Sequence, residues 1–303
     1  MKRRLAASEI IFKVISYTFL TVFALCCLYP FVYAISASIS SREAVDHGDV
    51  VLFPKGDSEN GIQFEAFAHM FNNNSFWNAY SNTLFLTVFG TIWALGVAIL
   101  GGYALSKKRL LFRKGFNFFL VFTMWFSAGL VPQYLNYLAT KDAFNSIGIT
   151  DDKWLVVIAM GMAAMNIILL RNAFEGVPSE IEEAARIDGA TELQVLTRVY
   201  IPMSKSTIAT VALFFAISRW NGYYWARQMI SNTYEHPLQV FIKLTLDSFN
   251  NPDEMQGWNL IHNYASDSVI YALIICAIIP ILIIYPFIQK YFAKGVNMGG
   301  VKE

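Results

Sequence analysis

The chain has 303 residues, of which 55% are apolar and 16% aromatic but only 15% charged, well below the roughly one quarter charged that soluble globular domains carry. The net charge of +1 singles out no class of partner. Three cysteines (Cys26, Cys27, Cys276) and four scattered histidines (His47, His69, His236, His262) supply neither a disulfide framework nor metal-ligand spacing.

In chain order, six runs approach the ~20 apolar residues that a helix needs to cross a bilayer. Val14–Ser41, Thr83–Ser106, Gly115–Thr140, Trp154–Leu170 and Ser268–Gln289 are free of charge, and Ser206–Ala226 holds one charge, Arg219. Unpaired backbone groups are not tolerated in lipid, so runs of this length are expected to be helices. The spans are placed at about 14–40, 83–106, 115–139, 154–173, 206–226 and 268–289. The expected fold is therefore all-α: a single polytopic membrane domain with six transmembrane helices. The first run is too long for a cleaved signal peptide. Pro30, Pro132, Pro280 and Pro286 lie in or near the spans and are expected to bend them.

The loops set the orientation. Lys2, Arg3, Arg4 and Lys13 precede the first span, Lys107 to Lys114 follow the second, Arg171 to Lys205 follow the fourth, and Lys290, Lys294 and Lys302 follow the sixth. This side holds 16 of the 23 basic residues, while the opposite loops hold 14 of the 22 acids. The excess of cations places both termini in the cytoplasm. The first outer loop, Arg42 to Ser81, reads as turns and irregular structure. In the third, Leu238–Leu244 reads as a short amphipathic helix, on the membrane surface or against a partner.

The cytoplasmic stretch 172–205 is too long for a simple turn. Ser179 with Glu182, after Pro178, and Thr191 with Gln194 each have the spacing of a capping box. Gly189 stands where the first helix must end, and Pro202 is expected to stop the second. The reading is helix–turn–helix, Glu180–Asp188 and then Glu192–Tyr200. The paired alanines Ala184 and Ala185 leave a low surface that another backbone could approach, with charges to fix register. Equally, alanines favour any solvated helix.

Glu183-Ala184-Ala185, three residues, Gly189, nine residues, then Val199-Tyr200-Ile201-Pro202 resembles the EAA loop of ABC importer permeases. Val199 and Ile201 depart conservatively from that family's Ile and Leu. Glu180 to Ala190 (Glu-Ile-Glu-Glu-Ala-Ala-Arg-Ile-Asp-Gly-Ala), Trp220-Asn221 and the tail Gly299-Gly300-Val301-Lys302 are similar to the carbohydrate-uptake group, which includes the smaller maltose-importer permease. Phe126 to Pro132 resembles a Gram-positive branch that handles complex oligosaccharides.

The resemblance implies a non-catalytic subunit of a binding-protein-dependent importer in the bacterial cytoplasmic membrane. No Gly-rich phosphate loop is present, so ATP and Mg would be bound by a partner, a dimeric ATPase on the cytoplasmic side. A second homologous permease chain and an extracellular solute-binding protein would complete it, with no role for nucleic acid. Glu183, Ala184, Ala185, Arg186, Asp188, Gly189 and Pro202 would form the part that couples to the ATPase, and Gly299, Gly300 and Lys302 a tail touching it. Access would switch as a rigid body.

A mid-membrane charge costs roughly 2.5–3.5 kcal/mol on insertion scales, so Arg219 is expected to face a cavity or partner. With Trp220, Asn221, Tyr224 and Trp125 it is a candidate lining of a sugar path. The alternative is an arginine snorkelling to the outer interface within an aromatic belt. An ABC permease for amino acids or peptides is the rival function. A membrane-embedded enzyme or an ion-coupled carrier is opposed by spans without Asp, Glu, His or Lys.

Overall fold

The computed structural model describes residues 7–56, 61–126, 128–250 and 264–295, with side chains from 8 to 286. Every extended element among them is a helix. The first is α1 (Ala7–Ser38) and the short α2 (Arg42–Asp46) and α3 (Glu65–Asn72) follow. Next come α4 (Asn74–Ser106), α5 (Arg113–Trp125), α6 (Leu130–Ser146), α7 (Asp152–Ala159) and α8 (Ala164–Glu175). The stretch 172–205 holds α9 (Ser179–Ile187) and α10 (Glu192–Val195), a π-helical turn Leu196–Tyr200, and α11 (Ile201–Met203). Then come α12 (Lys205–Trp220), α13 (Tyr224–Met229), α14 (Leu238–Phe249) and α15 (Ser266–Gly295).

Among the described residues, three helices are long and apolar enough to cross a membrane alone: Ser8–Ser38, Asn74–Ser106 and Ser266–Pro286. Three pairs qualify only jointly. They are α5 with α6, bent by 116°, α7 with α8, bent by 50°, and Glu192–Met203 with α12, bent by 87°. Counting each pair as one crossing gives six.

Several expected boundaries shift for local reasons. The 115–139 run is two helices because Gly129 takes φ +87° just before α6, a region closed to most side chains. Pro132 therefore sits in the first turn of α6, where its missing N–H costs nothing, and does not bend a continuous helix. The 154–173 run breaks at Met160–Ala163, and the 206–226 run ends at Trp220, with Asn221 closing α12. The first outer loop is less irregular than expected: it contains α2 and α3, and α4 begins at Asn74, ahead of the apolar run.

The chain divides into two compact units. In the first, Met1–Asn74 with Ile242–Ile279, the stretch after α1 folds back on the end of that helix. Ser36 Oγ donates to the Leu52 carbonyl at 2.7 Å, and the backbone N–H of Ser41 and Gln63 reach Lys55 and Ile39 at 2.9 Å each. Ala37, Ala44, Val45, Val50 and Ala265 form its small core. Ser268 Oγ donates to the Ala37 carbonyl (3.0 Å) beside the edge-on pair Tyr33–Tyr271. The most apolar window of α1 buries nothing against the rest of the chain.

The second unit, Ser75–Phe241 with Pro280–Glu303, is built on α4. Ala94, Ala98, Tyr103 and Leu105 of α4 pack with Ile167, Leu170 and Phe174 of α8, Val195, Leu196 and Tyr200 of the loop, and Val211 and Phe215 of α12. The α4–α8 crossing is tight because Gly102 has no side chain: a Cβ there would lie 2.9 Å from Leu170 Cβ and 3.0 Å from the Arg171 nitrogen. At the other end of α4, Asn82 Nδ2 donates to the Tyr234 carbonyl (2.8 Å) and Thr83 Oγ1 accepts from the Leu238 N–H (2.7 Å), which fixes the start of α14.

Candidate functional site

The loop after α8 forms the helix–turn–helix expected of it, with corrections in detail. α9 starts at Ser179 with no side-chain cap. The Ser179–Glu182 capping box does not form, because Glu182 points into the protein and pairs with Lys107. The Thr191–Gln194 box is complete: the Thr191 N–H donates to Gln194 Oε1 at 2.8 Å, and the Gln194 N–H donates back to Thr191 Oγ1 at 3.4 Å. Gly189 carries φ +80° and Ala190 N–H reaches the Ala185 carbonyl at 3.0 Å. The reversal thus needs the left-handed conformation glycine supplies. Pro202 does not stop the second helix. The chain widens into a π turn, where the Ile201 N–H bonds to the Leu196 carbonyl, and helix continues to Met203. The extra residue per turn accommodates a proline that cannot donate.

The coupling candidates divide by face. Glu183, Ala184, Asp188 and Gly189 are exposed, while Ala185 is half-buried against the core of α4, α8 and α12. The low alanine surface is thus shared, with one alanine outward and one inward. Ile187 is 85% exposed and Leu193 66% exposed, so two large apolar side chains stand beside the outward acids.

A charge cluster lies beneath α9. Arg186 Nη2 spans Glu182 Oε1 (2.7 Å) and Glu192 Oε1 (2.6 Å). Tyr200 Oη donates to Glu182 Oε2 (2.5 Å), Tyr103 Oη donates to Glu192 Oε2 (2.8 Å), and Arg109 pairs with Glu192. Lys107 Nζ is 2.8 Å from Glu182 Oε2 but makes no aligned hydrogen bond. It sits over the Tyr103 and Tyr200 rings, 4.2 and 3.8 Å from their centroids, a cation–π arrangement. Burial alone would raise the Glu182 carboxyl; the opposing Lys107, Tyr200 and Arg186 outweigh it and hold the group down at about 2. Burial pushes the Lys107 ammonium below its ordinary value despite Glu182. Sequence reasoning named Lys107, Glu182, Glu192 and Tyr200 only for orientation, capping and helix limits, and did not bring them together with Tyr103. The one available signal was a basic run starting directly at the end of a charge-free span.

The path candidates differ widely in exposure. Arg219 is buried, at 7% exposure. Its Nη2 donates to the Met160 carbonyl, its Nη1 has no partner among the described residues, and its Nε fills the space over Gly90, where a Cβ would come within 3.0 Å. Trp220 is buried edge-on against Tyr80 (6.0 Å). Asn221 is exposed and its Nδ2 returns to the Ile217 carbonyl (3.1 Å). Tyr224 is 40% exposed against Trp225, and Trp125 is 88% exposed at the end of α5. Gly299, Gly300 and Lys302 lie outside the described residues. No cluster of metal-ligating side chains occurs among the described residues.

Known proteins match over the whole length. The chain is 33% identical, over 100% of both chains, to the polygalacturonan/rhamnogalacturonan transport system permease protein YtcP of Bacillus subtilis. It is 28% identical to the maltodextrin transport system permease protein MdxG of the same organism, over 96% of each. Among solved structures, a bacterial ABC transporter involved in import of the acidic polysaccharide alginate aligns with a TM-score of 0.85 and 42% identity, covering 96% of this chain and 100% of that one. An alginate ABC transporter in complex with an alginate pentasaccharide-bound periplasmic protein aligns at 0.60 with 16% identity, over 91% and 92%, and shares the fold. Residues 115–298, which contain the whole Glu-Ala-Ala loop, match the family described as the inner membrane component of binding-protein-dependent transport systems, and the chain belongs to that family.

Proposed function

We propose that this chain is one of two homologous permease subunits of an ATP-driven importer that takes up oligosaccharides. The observation that carries the reading is α9. It is a short cytoplasmic helix presenting Glu183, Ala184 and the exposed Ile187 outward, reversed at Gly189 and anchored to the transmembrane body by charges on its inner face. An exposed apolar side chain rimmed by acids suits a cleft on a partner protein.

In this reading α9 sits on a dimeric ATPase that binds ATP and Mg, and nucleotide-driven closure moves α9 and the spans with it. This chain supplies no catalytic residue. The concentration of Lys and Arg beside α9 supports a cytoplasmic position for this loop and for both termini, with six crossings. An extracellular binding protein would deliver the sugar to the outer loops, as a periplasmic protein carries alginate pentasaccharide in the structure with the shared fold. The oligosaccharide assignment is supported by relatives whose names specify polygalacturonan/rhamnogalacturonan and maltodextrin. In the path, Arg219 holds helices together, and Tyr224, Asn221 and Trp125 are the candidates that remain open to a passing sugar. The tail residues Gly299, Gly300 and Lys302 are proposed to reach the ATPase.

The test is ATP hydrolysis by the purified complex, with binding protein loaded with alginate or polygalacturonate oligosaccharides. Stimulation by the loaded protein that is lost in Gly189→Trp is expected. Stimulation by amino acids or peptides instead would move the solute class. Failure of any ATPase to co-purify would overturn the reading of α9.

A further inference from the structure

Lys107 follows directly on the last residue of α4 and is only 9% exposed, whereas its neighbours Lys108 and Arg109 are exposed. A lysine that merely marked the cytoplasmic side would be solvated like them. Its ammonium is instead enclosed by the Tyr103 ring from α4, the Tyr200 ring from the π turn and the Glu182 carboxylate from α9. The two rings meet edge-on (5.1 Å, 82°), and Phe174 of α8 packs edge-on against both. The enclosure is therefore built from four elements of the same unit.

The partners of Glu182 differ in origin. Arg186 and Tyr200 belong to the loop itself and would travel with it. Lys107 is the partner that reaches Glu182 from the transmembrane body. Tyr103 and Arg109 also tie the loop, but to Glu192 on the second short helix. We propose that Lys107 is the positioning residue that locks the coupling helix α9 to the cytoplasmic end of α4, so that the two move as one body when the ATPase closes. This rests on the reading of α9 as the helix that meets the ATPase. A lever transmits motion only if its joint to the load does not yield. A desolvated cation held by one carboxylate and two ring faces is stiffer than a solvated ion pair.

The experiment uses the full complex in lipid nanodiscs, with Cys26, Cys27 and Cys276 replaced by serine. Nitroxide labels go at the exposed positions Ala104→Cys on α4 and Glu180→Cys on α9. The inter-label distance distribution is measured by pulsed electron resonance without nucleotide and with ATP and vanadate. A single narrow distance, equal in the two states, is expected. Lys107→Met should broaden it about twofold or split the two states apart, and Lys107→Arg should restore most of the narrowness, since a guanidinium also pairs and stacks. Glu182→Gln, which keeps shape and removes charge, should broaden it like Lys107→Met and serves if that variant does not assemble. A distance that changes between states in the unmodified protein, or that ignores Lys107→Met and Glu182→Gln, overturns the lock. If Gly189→Trp still abolishes sugar-stimulated hydrolysis in that event, only the lock falls; if Gly189→Trp is fully active, the coupling reading itself falls and takes the lock with it.

Discussion

The guanidinium of Arg219, in the last turn of α12, donates to the carbonyl of Met160, the residue that closes α7 at the break in the fourth apolar run. Carbonyls at a helix end lack intrahelical donors and carry partial negative charge. A cation supplied from another helix satisfies both needs and bridges two discontinuities.

Arg219→Met is therefore expected to lower the melting temperature of the purified complex. It strands a buried carbonyl, at a cost of about 1–3 kcal/mol, and regains only part of that by no longer burying a charge. Arg219→Lys, with one donor able to reach, should fall between. Melting of Arg219→Met at or above the native temperature would mean that the burial penalty outweighs the bond.

At Gly189 no heavy atom lies within 4 Å of an added Cβ, so the only penalty for alanine is the left-handed backbone, about 1–2 kcal/mol. Gly189→Asn should lose less and Gly189→Ala more of the sugar-stimulated hydrolysis, with spans and melting temperature little changed. Equal activity for glycine, asparagine and alanine would show that the reversal tolerates another backbone.

Glu182 predicts a pH response. Its carboxyl in the folded protein titrates at about 2 against an ordinary value of 4.5, so the folded state favours the charged form. That stabilisation is complete above about pH 4.5 and is lost as the pH falls towards 2. Acid unfolding of the native complex should steepen in this window, and Glu182→Gln should remove that component while lowering stability at pH 7. An acid transition identical in Glu182→Gln would exclude Glu182 as its origin.

Gly102 tests the packing of α4 on α8. All three near neighbours of an added Cβ, Leu170 Cβ, the Arg171 nitrogen and the Ile167 carbonyl oxygen, belong to or lie next to backbone and cannot swing away. Gly102→Ala should cost on the order of 1–3 kcal/mol and Gly102→Val more, measured by thermal melting. Gly101→Ala, with only ordinary 3.5 Å contact to Ile167, is the matched control and should be near neutral.

The parts legible in the sequence were those with local causes. Charge-free length marked α1, α4 and α15, the Thr191–Gln194 spacing made its capping box, and Gly189 announced a reversal. What escaped depends on distant partners. Glu182 has capping spacing with Ser179, but Lys107, far earlier in the chain, competes for the same carboxylate and wins. The 115–139 run is free of charge throughout, and hydropathy carries no information about the backbone of Gly129. Pro202 reads as a stop when only its missing donor is considered. The π turn that absorbs it is a property of the whole segment from Leu196 onward. The aromatic cluster after α12 suggested a sugar path, yet Arg219 and Trp220 are committed to neighbouring helices, a fact that only packing reveals.

The π turn at Leu196–Tyr200 also sets an arithmetic on this loop. Surface loops ordinarily accept insertions and deletions, but here one surplus residue is already stored inside a helix. Each residue of helix is about 100° of rotation. Removing one residue from the π turn itself would let it relax to regular helix with its flanks close to their present register, whereas removing one from the regular turns of α10 before it would rotate α9 relative to Pro202 and α12 and carry Glu182 away from Tyr200 and Lys107. Outside the π turn, the spacing from Glu183 to Pro202 is thus held as a count of residues, and at Gly189, Glu192 and Tyr200 by the identity of the residue as well.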